Sequence, residues 1–130
     1  MKVGTVDASG DALVPLTVER RGSEGRQHDV AALLDTGFNG FLALPPTSIE
    51  DLNLEQVGRE QYMTASGEMR VTGVYEAVVI FGERQLVVDE IVEAAEPLMG
   101  VGFLWGVKVC LGYREGGEVT LEELDRTSTL

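Results

Sequence analysis

The chain has 130 residues, long enough for one domain with a real core and too short for two. Its 44% apolar and 25% charged residues argue against disorder, and sixteen glycines favour short strands and frequent turns. A net charge of −12 argues against nucleic acid or an anionic membrane surface as partner.

In chain order, Lys2 to Asp7 reads as a first strand and lacks the apolar core of a secretory signal. Ala12 to Glu19 alternates, with Val14, Leu16 and Val18 on one face and Pro15, Thr17 and Glu19 on the other. That period of two predicts a half-buried strand, placed at or beside an edge because Pro15 cannot donate to a ladder. Arg20 to Gln27 is a polar hairpin loop. His28 to Leu34 returns as a strand with Val30, Ala32 and Leu34 inward, and His28 is expected at its exposed start.

The next stretch organises the chain. Leu33-Leu34 delivers Asp35 into a Thr36-Gly37 turn, and Phe41-Leu42-Ala43-Leu44 leaves on the other side. A carboxylate set between two core-type strands is costly unless its charge is used, which makes Asp35 a catalytic candidate. As a plain β-turn, the same residues would place Asp at its first corner and Gly at its third or fourth.

Pro45-Pro46 stops the departing strand, and Thr47-Ser48-Ile49-Glu50 has capping-box spacing that predicts a short helical turn with Thr47 as N-cap. Glu60 to Gly82 is the longest extended region. It folds at Ala65-Ser66-Gly67-Glu68, a polar tip on amphipathic arms, suited to a flap or to an ordinary surface hairpin. Val78 to Phe81 is apolar on both faces and therefore central.

Leu86 to Val92 is a further strand. Pro97-Leu98-Met99-Gly100 brings two apolar residues to a glycine where a backbone could pass close to another element, and a short helical segment follows. Val107 to Tyr113 and Glu118 to Leu124 form a last hairpin, and 125–130 is a polar tail. Cys110 reads as a small core residue. As the single cysteine it rules out an intrachain disulfide and predicts a reducing, cytoplasmic setting.

No run reaches the ~18 apolar residues needed to span a bilayer. With His28 as the single histidine, neither a metal centre nor a Ser-His or Cys-His apparatus can be built in one chain. No cofactor or metal is expected.

The order of these signals, from about Ala12 to Leu124, resembles the single-domain retropepsin-like aspartic proteases, including uncharacterised bacterial members. The resemblance rests on Leu33-Leu34-Asp35-Thr36-Gly37, the departing apolar strand, the glycine-tipped hairpin, Leu98-Met99-Gly100, the short helix and the terminal strand pair. In the retroviral enzymes Ala or Ser usually follows Asp-Thr-Gly, whereas here Phe38 does, followed by Asn39-Gly40.

The resemblance implies an all-β acid-protease barrel over 1–130, with one or two short helices and a flap. It implies an aspartic endopeptidase working as a homodimer on peptide or protein substrates. One Asp-Thr-Gly per chain means that the shared pair needs an Asp35 from each of two chains. Asp35 would be the acid/base, the Thr36 hydroxyl would bond across the axis, and the Gly37 amide would donate to the carboxylate.

Phe38, Met63, Ser66, Gly67 and Met69 would contact substrate, and Leu98 and Gly100 would support the Asp35 loop. The terminal strand Glu118 to Leu124, with the N-terminal strand, would form the dimer sheet. Two other readings compete. One is a non-catalytic dimeric β module that binds extended peptides in its cleft, which Phe38 favours. The other makes Asp35 a phosphoryl acceptor, which wants a second Asp and a metal that the loop does not offer.

Overall fold

The computed structural model describes residues 1–22 and 26–124, so the polar tail at 125–130 and part of the 20–27 loop lie outside the described residues. Runs of β-branched and aromatic residues broken by Gly and Pro form strands, because a pleated backbone accommodates their stiff side chains. They are β1 (Lys2–Val6), β2 (Ala12–Glu19), β3 (Gln27–Leu34), β4 (Leu42–Leu44), β5 (Glu55–Met63), β6 (Met69–Phe81) and β7 (Arg84–Glu93). β8 (Leu98–Met99), β9 (Val107–Leu111) and β10 (Glu118–Glu123) follow, with helix α1 (Pro46–Asp51) and a 3₁₀ turn at Val101–Phe103.

The strands belong to one sheet in the order β5-β6-β7-β4-β8-β3-β2-β1-β10-β9. A further pairing of β2 with β6, from Thr17↔Ile80 to Glu19↔Val78, closes β2, β6, β7, β4, β8 and β3 into a six-stranded barrel. The all-β barrel expected from the sequence is therefore the fold, with α1 and the 3₁₀ turn as its short helical pieces. The arm of β5 continues from β6, and β1, β10 and β9 continue from β2.

The core fills the ring. Val14, Leu16 and Val18 meet Leu42, Leu44, Val79, Phe81, Ile91 and Met99, none more than 2% exposed. Each of the larger side chains contributes roughly 1.5–3 kcal/mol by leaving water. Phe103 packs edge-on against Phe81, with centroids 5.4 Å apart, and against Phe41 at 5.5 Å. That aromatic chain ties the 3₁₀ turn to the barrel wall.

Four local expectations need correction. Strand β2 is not at an edge: away from β3 it pairs with β1 at Ala12–Leu13 and with β6 at Thr17–Glu19. Pro15 falls in the interval where β2 changes neighbours, which is where a missing N–H costs nothing. Thr47 is not an N-cap, since α1 starts at Pro46, with Pro45 as the cap and no side-chain cap bond. Proline's fixed φ favours the first helical position, so Thr47 already lies inside the first turn.

Cys110 is exposed rather than buried. Period two turns Val107, Val109 and Leu111 toward the core and leaves Lys108 and Cys110 outside. The terminal strand β10 lies between β1 and β9 over Val119–Thr120, so a dimer sheet cannot be built along its whole length.

Candidate functional site

Asp35 stands at the end of β3, half-buried, with Thr36 and Gly37 exposed beside it. Its turn is fixed locally: Phe38 N–H donates to the Asp35 carbonyl at 3.1 Å, and Gly37 N–H donates to Asp35 Oδ1 at 2.9 Å. The second bond pins the carboxylate and satisfies one of its lone pairs. Its remaining oxygen has no hydrogen bond among the described residues.

The two strands around this turn do not pair with each other. β8 enters between them, parallel to β3 (Leu33↔Leu98, Leu34↔Met99) and antiparallel to β4 (Leu42↔Met99, Ala43↔Leu98). The Asp35 amide donates to the Met99 carbonyl at 2.9 Å. Beyond β8 the chain stays against the loop: Gly100 N–H bonds Phe41 O at 2.8 Å, Val101 N–H bonds Phe38 O at 3.0 Å and Gly102 N–H bonds Gly40 O at 3.0 Å. Three consecutive amides thus hold three carbonyls of the loop.

This approach leaves no room for a side chain at residue 100. A Cβ on Gly100 would run into the Gly40 carbonyl oxygen, and would lie 2.7 Å from both the Phe38 carbonyl and its ring. Gly100 has φ −94°, open to any residue, so space and not conformation demands the glycine. The Phe38 ring also covers Gly40, where a Cβ would be 2.7 Å from Cζ. Phe38 is therefore half-buried against two glycine backbones, a packing role within the loop. Phe41 covers Gly102 in the same way, with ring atoms 2.7 Å from a Cβ placed there.

The β5–β6 hairpin carries the other candidates. Its tip closes through Thr64 N–H to Glu68 O at 2.8 Å and Gly67 N–H to Thr64 O at 2.9 Å, with Gly67 at φ +87°. Ser66 Oγ lies 3.0 Å from Thr64 Oγ1, so the Ser66 hydroxyl is engaged within the tip. Met63 pairs with Met69 across the hairpin, and the two side chains are 67% and 58% exposed.

In β6, Ala77, Val79 and Phe81 alternate into the core, but the pattern breaks at the buried Val74, where the ladders to β5 and β7 shift register beside Tyr75. Further out, Met69 and Val71 share one face of the arm with Met63 opposite Met69, and all three are exposed. Val71 belongs to this apolar row and escapes a reading that looks only at the tip. Met99, Phe41 and Gly102 were also missed as supports of the Asp35 loop, although Gly100-Val101-Gly102 was a visible signal.

No protein-family model matches the sequence, and no curated protein matches it. Among solved structures, the chain is similar to the crystal structure of a retropepsin-like aspartic protease from Rickettsia conorii. The alignment covers 92% of this chain and 88% of that one, with a TM-score of 0.60 and 15% sequence identity. This chain has a retropepsin-like fold. In that frame the six-stranded ring is the barrel of the retropepsin-like domain, and β8 with its glycine is the segment that crosses beside the Asp35 loop.

Proposed function

We propose that the protein is an aspartic endopeptidase that works as a homodimer, each chain supplying one Asp35. The observation that carries this reading is a carboxylate pinned by the Gly37 amide at a strand end of a retropepsin-like barrel, its other oxygen without a hydrogen bond among the described residues. A single chain offers no second Asp-Thr-Gly, so the second carboxyl comes from a symmetric copy.

In this mechanism the two Asp35 carboxyls hold one proton between them. The ionised one takes a proton from water as the water oxygen attacks the peptide carbonyl carbon, and the protonated one gives its proton to the carbonyl oxygen. Collapse of the resulting diol breaks the C–N bond as the amine nitrogen takes a proton from one carboxyl and a diol hydroxyl gives its proton to the other, which restores the singly protonated pair. Thr36, exposed beside the carboxylate, is assigned to bonding between the two loops. The apolar row of Met63, Met69 and Val71 is assigned to the substrate, since methionine adapts to varied side chains. The protein is assigned to the cytosol as a single domain.

The non-catalytic alternative drew its support from Phe38, and the ring's seat on Gly40 and Gly100 gives that residue a structural task instead. The pH dependence of cleavage tests the shared proton. Two like charges a few ångströms apart resist ionising together, so the active form is singly protonated. The rate should trace a bell on the acidic side and fall as the shared proton leaves. A rate that climbs steadily from about pH 6 to about pH 9 would point to a different base.

A further inference from the structure

Among the described residues the sheet has two edge strands, β5 and β9, and they are built differently. β5 carries a register shift between Gln56 and Gly58 and the charges of Glu55, Arg59 and Glu60, devices that discourage strand addition. β9 has no register shift and one charge, Lys108. Its ladder with β10 runs unbroken from Val107↔Glu123 to Leu111↔Val119, and it contains neither proline nor an acidic residue.

We propose that the free edge of β9 is the dimer seam, two copies pairing their β9 strands antiparallel about Val109. The proposal rests on the homodimeric reading and names its interface. A two-fold pairing must be self-complementary, and this stretch is. Trp105 and Tyr113 are 84% and 72% exposed, the most exposed large apolar side chains among the described residues. They stand four positions before and four after Val109. Antiparallel pairing about that residue brings Trp105 to the end of the strand where the partner's Tyr113 emerges.

Charge points to the same stretch. From Pro97 to Tyr113 the chain carries one charged side chain, Lys108, in a protein of net charge −12. Two such chains repel over most of their surfaces but not here. Val107, Val109 and Leu111 are only partly covered by their own core, so pairing removes further apolar surface from water. The seam is also continuous with the site, because β9 follows directly on the 3₁₀ turn and β8, which hold the Asp35 loop.

The single cysteine reports on the arrangement. Cys110 faces outward, and in this register it lies diagonally across from the partner's Cys110, roughly 7–8 Å away. A bis-maleimide of about that span should therefore link two full-length chains covalently. The Trp105→Ser/Tyr113→Ser double variant, whose changes lie outside the core, should keep its circular dichroism spectrum. It should weaken dimerisation about thirtyfold or more by sedimentation and reduce the cross-linked yield accordingly. A dimer that neither cross-links through Cys110 nor responds to the double variant would overturn the β9 seam while leaving the dimeric protease intact. A monomer at every concentration, with and without a peptide-like inhibitor, would overturn both.

Discussion

Asp35→Asn is expected to abolish peptide cleavage, lowering kcat by about 10³-fold or more, with the fold unchanged. Asparagine keeps an Oδ1 in the place of the carboxylate oxygen, so the 2.9 Å bond from Gly37 N–H survives. The turn is then held as before, and the backbone bonds from Asp35 to Met99 and Phe38 do not involve the side chain. What disappears is the ability to take a proton from water and return it. The assay is cleavage of a broad peptide library by parent and variant, with thermal unfolding as the control for structure. Undiminished cleavage by the variant would assign the chemistry to another residue. A parent that binds peptides but never cuts them would favour the non-catalytic module.

Gly100→Ala is expected to destabilise the protein by about 3 kcal/mol or more, at the upper end of overpacking costs. The new methyl would meet the Gly40 and Phe38 carbonyls and the Phe38 ring. Those carbonyls accept from Gly102 and Val101 N–H, so they cannot withdraw without opening the clamp on the Asp35 loop. Gly10→Ala provides the contrast. Gly10 has φ +85° with nothing within 4 Å of a Cβ, so only backbone strain of about 1–2 kcal/mol is expected there. Urea unfolding of both variants measures the difference. Equal losses would mean that close approach is not what residue 100 supplies.

Much of the barrel was legible because its strands carry a period-two pattern. Val14, Leu16 and Val18 face inward as read, and Val78–Phe81 is central, between β7 and β2. The close approach at Gly100 was also visible, since an isolated glycine after two apolar residues asks for a crowded backbone.

What escaped depends on long-range pairing. The closure of β2 on β6 leaves no local trace, so Pro15 looked like an edge marker when it marks a change of neighbours. Cys110 looked like core because its neighbours are apolar, yet the phase of the alternation, set by β10, turns it outward. The expected dimer sheet on the terminal strand is restricted for the same reason, because β1 already pairs with Glu118–Thr120. Sequence order made β10 terminal, whereas the sheet places β9 at the edge. At α1 two local rules competed, and the proline at the first helical position prevailed over the capping box.

The proposed dimer brings two Asp35 carboxyls into one site. The most direct measurement is their separation in a crystal of the full chain with a non-cleavable peptide analogue. The nearest carboxyl oxygens of the two chains are expected within about 3 Å, close enough to share a proton. A separation beyond about 8 Å in a symmetric dimer would leave each carboxylate to ionise alone and would contradict the shared site.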